Sequence, residues 1–175
     1  MDAKMKLAAA AVAATLSLGA AQASADADHW GYAGASIGNA KVKLAEAQFS
    51  EWDTAWKVYG SYMFNENIGV EATYLDMGSP SDGPIRVTDL TGFATQVVGV
   101  LPLGSFDLFA KVGYIYYDAE FRSGSSTPTR NGFELAAGFG ARYNVGKFGI
   151  RAEAEAFDVD FADLYVLSVG AQYRF

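Results

Sequence analysis

From Trp30 to its last residue the chain alternates apolar and polar side chains in short runs separated by turn-forming residues. In the run FELAAGFGARY one face reads Phe133, Leu135, Ala137, Phe139, Ala141 and Tyr143, and the other Glu134, Ala136, Gly138, Gly140 and Arg142. A period of two marks a strand with unlike faces, because successive side chains of extended backbone point to opposite sides. Ile150, Ala152, Ala154 and Ala156 alternate in the same way with Arg151, Glu153 and Glu155. Phe106, Leu108, Ala110, Val112 and Tyr114 oppose Asp107, Phe109, Lys111 and Gly113. Trp56, Val58, Tyr62 and Phe64 oppose Lys57, Tyr59 and Ser61, while Ile68, Val70, Ala72 and Tyr74 oppose Glu71 and Thr73. Eight strands are predicted: Trp30–Val42, Thr54–Phe64, Ile68–Met77, Asp89–Leu101, Phe106–Phe121, Gly132–Tyr143, Phe148–Asp158 and Asp163–Phe175.

Two stretches fit this pattern less well. Gln96 in GFATQVVGVL falls on the face that matches the other apolar faces. In LAEAQFSEWDTAW, Leu44, Gln48, Phe49, Trp52 and Trp56 have near-helical spacing, so either a helical turn or an irregular loop leads into the second strand. AEAEA consists of good helix formers, yet the two-residue period continues on both sides of it, and a strand is expected there.

The links between strands alternate in length. NEN (65–67), PLGS (102–105) and NVGK (144–147) are tight turns of asparagine, glycine and proline. Residues 43–53, 78–88 and 122–131 are longer links, while 159–162 is compact. Every tight turn therefore lies at the same end as both chain termini. Outer-membrane barrels show this asymmetry, with short periplasmic turns and longer external loops. Strands of about ten residues also suit a tilted crossing of the hydrocarbon core.

Periodicity does not say which face points outward. A soluble barrel hides its apolar face, whereas a membrane barrel presents it to lipid and turns the polar face inward. The polar face here is rich in glycine and alanine, which suit a narrow interior. Trp30, Trp56, Phe64, Phe106, Tyr116, Tyr143, Tyr165 and Phe175 gather near segment ends, as an interfacial aromatic girdle requires. The apolar-out arrangement is the expectation, and on it Gln96 would need to sit near a headgroup layer. A closed cylinder also leaves no unpaired edge.

The N-terminal segment changes the picture of where the chain goes. MDAKMK carries two lysines, Leu7 to Ala21 is an apolar run of about fifteen residues, and AQASA ends in alternating small residues. That is the layout of a secretory signal peptide, shorter than a spanning helix. The expected organisation is a signal peptide over residues 1–25 and one barrel domain over 26–175. Without Lys4, Lys6 and Asp2 the remainder carries 11 basic and 19 acidic residues, a formal charge of −8. This balance disfavours nucleic acid. There is no cysteine, so disulfides do not hold the exported chain.

Candidate chemistry is thin. His29 is the sole histidine and stands at the start of the first strand, away from any framework for a Ser–His–acid site. One histidine and no cysteine also remove the usual zinc sets. Asp158, Asp160 and Asp163 could offer carboxylates to a hard cation, but lack a glycine turn and a suitably placed glutamate, and a solvated loop is preferred. No catalytic residue, cofactor or metal is expected. What remains is an inward set of charges: Lys57, Lys111, Arg142 and Arg151 facing Glu71, Asp107, Glu134, Glu153 and Glu155, with Glu134 nearer the outer rim. Eight strands leave a lumen that side chains fill, and charges there must pair. Two readings stay open, a salt-bridge plug that stiffens the barrel and a gate over a small pore.

With these residues in view, the chain resembles the transmembrane domain of the outer membrane protein A family, within the outer-membrane β-barrel superfamily. The closing segment LSVGAQYRF is similar to that family's last strand, L-S-x-G-x-x-Y-R-F. YGSYMFNENIGVEATY, FDLFAKVGY and IRAEAEAF place Glu71, Lys111, Arg151 and Glu153 at inward charged positions of the family, and WGYAGASIG is similar to its first strand. Arg142 stands where well-known members carry glutamate, and Val97 where they carry lysine. The family's gating pairs therefore do not transfer. Full-length members continue into a peptidoglycan-binding domain, whereas a barrel-only member is expected here.

The resemblance implies a non-enzymatic outer-membrane protein that supports envelope integrity, with possible surface contacts through its loops. A small gated diffusion pore is the alternative, and a lipid-modifying barrel enzyme a third. Expected partners are outer-membrane lipid and lipopolysaccharide, the assembly machinery and periplasmic chaperones, around a monomer with both termini in the periplasm. Tyr173 and Phe175 would form the assembly signal.

Overall fold

Glycine and asparagine set the tight turns at one end of the molecule. Gly104 and Gly146 have φ of 79° and 61° and open two-residue turns between long strands. A side chain there would force left-handed backbone at a cost of about 1–2 kcal/mol. The remaining tight turn is an Asx turn, in which Asn65 Oδ1 accepts from the N–H groups of Asn67 and Ile68 at 2.8 Å each.

The computed structural model describes residues 30–44, 50–78, 81–82, 85–122, 129–159 and 162–175. The strands are β1 (Trp30–Leu44), β2 (Ser50–Met63), β3 (Ile68–Asp76), the two-residue β4 (Ser81–Asp82), β5 (Ile85–Leu103), β6 (Phe106–Arg122), β7 (Thr129–Val145), β8 (Phe148–Val159) and β9 (Ala162–Arg174). Pairing is antiparallel throughout, and β1–β9 and β3–β5 pairings close the sheet into an eight-stranded barrel to which β4 is a short addition. The seam registers Tyr32 with Arg174 and Leu44 with Ala162.

Several strands run beyond the sequence boundaries at the long-link end. β5 has 19 residues and β6 and β7 have 17 each, more than the roughly 9–11 that cross a bilayer. Paired backbone satisfies its own hydrogen bonds, so the hairpin stems can continue the ladder outside the hydrocarbon. Ser50 to Trp56 are extended backbone of β2, not a helical turn. Gln48, Phe49, His29, Asp160 and residues 1–25, where a signal peptide is expected, lie outside the described residues.

The outer wall is apolar. Phe139, Phe148 and Ile150 are each about two-thirds exposed, with Ile37, Val97, Leu108, Val112 and Leu167 around the same surface. An apolar girdle of that extent belongs in lipid.

The interior is stacked in layers. Toward the long-link end lies an apolar layer that includes Leu75, Met77, Leu90, Ile115, Tyr117, Phe157, Leu164 and Val166. Toward the tight-turn end Tyr32, Tyr59, Met63, Val98, Val100 and Phe109 form a second. Charged and polar side chains occupy the space between them.

The face of β5 requires a correction. Gln96 points inward and is buried, and Val97 is the lipid-facing neighbour. The segment is apolar on both faces, with Phe93, Val97 and Leu101 outside and Leu90, Ala94, Val98 and Val100 inside. It serves lipid and the interior layers at once, so alternation does not choose between its faces.

Candidate functional site

Six charged side chains meet in the middle of the barrel. β2 brings Lys57, β3 brings Glu71, β6 brings Lys111, and β8 brings Arg151, Glu153 and Glu155. All six are buried. Each sits at an alternate position of a strand whose intervening residues face outward, so the two-residue period aims them at one level. Three positive and three negative charges make the layer formally neutral.

Glu71 is held from several sides. Arg151 donates from Nη1 to Glu71 Oε2 at 2.7 Å and from Nη2 to Oε1 at 3.1 Å. Lys111 Nζ donates to Oε1 at 2.9 Å, and the Tyr32 hydroxyl donates to Oε2 at 2.9 Å. Arg151 also grips Glu153, with Nε 3.1 Å from Oε2 and Nη2 3.0 Å from Oε1. Its guanidinium lies between two rings, 4.4 Å from the Tyr59 centroid and 4.3 Å from the Phe109 centroid. This planar group thus combines forked hydrogen bonds with stacking, which a lysine could not do.

The lysines complete the layer. Lys111 Nζ reaches Glu153 Oε1 at 2.5 Å and Glu155 Oε1 at 2.7 Å. Lys57 Nζ pairs with Glu153 Oε2 at 2.5 Å and with Glu155 Oε2. Every charge has an opposite partner, which is the condition for keeping ions out of water. Removing one member leaves an uncompensated charge in a site with no route to solvation.

Arg142 and Asp107 stand apart from this cluster. They pair with each other near the tight-turn end, Arg142 Nε donating to Asp107 Oδ2 at 2.7 Å. Asn144 Nδ2 donates to the same oxygen at 2.8 Å. Glu134 lies on β7 in register with Ile115, toward the long-link end. Tyr173 faces outward against Phe148, with ring centroids 5.2 Å apart. Phe175 lies across the seam: a Cβ on Gly31 would come within 2.6 Å of its ring. Its N–H donates to the Gly31 carbonyl at 3.0 Å and its carbonyl accepts from Gly31 N–H at 3.3 Å. Asp158 and Asp163 are opposite one another in the β8–β9 register.

Sequence reasoning missed the neutral members of this site. Tyr32, Tyr59 and Phe109 read as ordinary alternating aromatics, although Tyr59 lies between Lys57 and Ser61 on its face and Phe109 between Asp107 and Lys111. For those two, an aromatic on the charged face of a strand was the available signal; the inward face of β1 around Tyr32 bears no charge.

Solved structures share this architecture. The attachment invasion locus protein Ail of Yersinia pestis, solved in complex with the heparin analogue sucrose octasulfate, has a TM-score of 0.66 at 20% identity, covering 85% of this chain and 99% of its own. Neisserial surface protein A has a TM-score of 0.71 at 13% identity, with 83% and 97% covered. Pseudomonas aeruginosa OprG has a TM-score of 0.60 at 16% identity, with 85% and 96% covered. At such identities the likeness speaks for the fold alone. Among curated proteins no sequence matches the chain significantly. The family described as "Outer membrane protein beta-barrel domain" matches residues 9–175. With an apolar-out, eight-stranded closed barrel and a match over nearly its whole length, the chain belongs to that outer-membrane β-barrel family.

Proposed function

We propose that this protein is a closed, non-enzymatic barrel that reinforces the outer membrane, with its longer links as the external surface. The observation that carries this reading is the neutral, fully paired charge layer sealed between two apolar layers. A conducting path would have to break the ion cluster and also part the apolar side chains toward the long-link end. Planar-bilayer recordings on the purified protein test it, and no stable unitary conductance is expected. Stable openings that disappear when Glu71 or Arg151 is replaced would instead establish the small gated pore.

The proposed orientation puts the tight turns and both termini in the periplasm, where chaperones and the assembly machinery meet the chain. In this reading Tyr173 and Phe175 present the assembly signal, and lipopolysaccharide and phospholipid surround a monomer. Deleting Phe175, or extending it with a charged tail, is expected to reduce assembly in cells more than refolding in detergent. Fractionation and heat-shifted gel mobility measure both. Equal losses would reduce Phe175 to its packing on Gly31.

A further inference from the structure

The ladder that joins β7 to β8 is shorter than the one that joins it to β6. β6 pairs with β7 from Phe106 against Tyr143 to Glu120 against Thr129. β8 pairs with β7 only from Phe148 against Val145 to Phe157 against Ala136. β8 ends at Val159, already registered with Ala162 of β9, and does not extend alongside Thr129. Among the described residues, 129–133 therefore have a strand on one side only. In an antiparallel ladder a residue's N–H and C=O point to the same side and successive residues alternate. Alternate residues of 129–133 thus turn both groups away from β6. The other flank of this stem is covered, since β4 pairs with β5 through Ser81 against Arg86 and Asp82 against Ile85.

The open edge stands in water. Phe133 is 67% exposed and its ring stacks on that of Tyr114 at 4.9 Å, an outward aromatic pair of the kind that marks a membrane surface. Residues 129–132 lie beyond it, with Asn131 exposed. Such an edge is excluded from hydrocarbon, but in water it is a template for a further strand. The charge at this end of the barrel selects which strand. Residues 41–53, 76–91, 118–134 and 158–163, which end or link the strands here, carry 5 basic and 12 acidic residues. The central layer is neutral, and the tight-turn end sets Arg142, Lys147 and Arg174 against Glu66 and Asp107. The acidic excess of the barrel is gathered at the end that bears the open edge.

We propose that residues 129–133 of β7 dock an extended, cationic peptide segment of another protein, which adds to this edge as a strand. Backbone hydrogen bonds hold it, and the acidic surroundings draw it in and select its charge. The proposal rests on the long-link end being external, as in the reading above.

The test uses the purified protein in non-ionic detergent, with an end-blocked Lys-Thr repeat peptide of about eight residues as the probe. Saturable binding with a Kd of about 1 mM or tighter is expected, weakening as salt is raised. Amide hydrogen exchange is expected to slow at alternate residues of 129–133 and to stay unchanged in the tight turns. The same peptide N-methylated at every residue, and a Glu-Thr repeat, are expected to bind roughly tenfold more weakly or worse. Arg130→Pro and Asn131→Pro are made separately, and the one whose N–H faces the open edge is expected to lose binding while keeping the heat-shifted band. If neither variant folds, the N-methylated peptide and the exchange pattern decide. No saturation, equal binding of either control peptide, protection elsewhere in the barrel, or unchanged affinity in both folded variants would each overturn the proposal. A protein that is dimeric without peptide, with these amides already protected, would assign the edge to a second copy and overturn it too. Labelling of Asn131→Cys by a membrane-impermeant maleimide on intact cells reads the orientation separately. Its absence would overturn the external placement, whatever the purified protein binds.

Discussion

Arg151→Met is expected to destabilise the barrel by about 3–5 kcal/mol, the usual cost of removing one partner from a buried ion pair. The methionine fills much of the space between Tyr59 and Phe109, so the loss is electrostatic more than a cavity effect. Glu71 then retains Lys111 and the Tyr32 hydroxyl, while Glu153 retains Lys111 and Lys57. Two cations then face three carboxylates at a buried site. Adding Glu71→Leu to the same chain restores neutrality and is expected to recover a large part of the loss. The coupling between the two sites, read from a double-mutant cycle of urea unfolding in lipid vesicles, should exceed about 1 kcal/mol. A single Arg151→Met variant as stable as the parent would remove the charge layer from any account of what holds this barrel.

Gly170→Val is expected to prevent closure. Gly170 faces Ser36 across the β1–β9 seam, and a Cβ there would meet the Ala35 carbonyl oxygen and the Ser36 Cα and Oγ. Two of these are backbone atoms of the partner strand, so no rotamer change relieves the collision. β1 and β9 would have to separate where they are hydrogen-bonded, exposing an edge to hydrocarbon. Gel mobility of unheated samples should show loss of the compact band, and membrane fractions should show loss of the protein. Gly104→Val is the control, since a Cβ at Gly104 meets nothing within 4 Å. It strains only the turn, by about 1–2 kcal/mol, and the band should remain. A Gly170→Val protein with normal heat-shifted mobility and stability would mean that the seam tolerates side chains there.

The seam also shows how two distant sequence features act together. Gly38 faces Ser168, and Ser36 faces Gly170, so small residues meet across the joint from both strands. One residue of each pair lies near the start of the described chain and the other near its end. Only the closed sheet makes them neighbours.

Much of this molecule is legible without coordinates. The two-residue period in 133–143 and 148–156 assigns faces correctly, because each strand there has one strongly apolar side and one bearing charges or small residues. The alternation of tight and long links predicts which ends of the strands lie together. β5 is the exception, since Phe93, Val97 and Leu101 face lipid while Leu90, Ala94, Val98 and Val100 face inward, and no alternation separates two apolar sides. Partnering was illegible for a different reason. Period fixes the direction of a side chain but not its height in the barrel, which depends on the stagger of neighbouring strands. That stagger puts Arg151 level with Glu71, from strands 80 positions apart in sequence, and sets Arg142 and Asp107 off at the tight-turn mouth.

The sequence by itself determined strand number, the faces of most strands and the membrane character of the wall, because these follow from local period and composition. The tertiary structure alone decided which charges pair and that apolar layers lie on both sides of them. Those outcomes depend on closure and stagger, which arise only when the last strand meets the first.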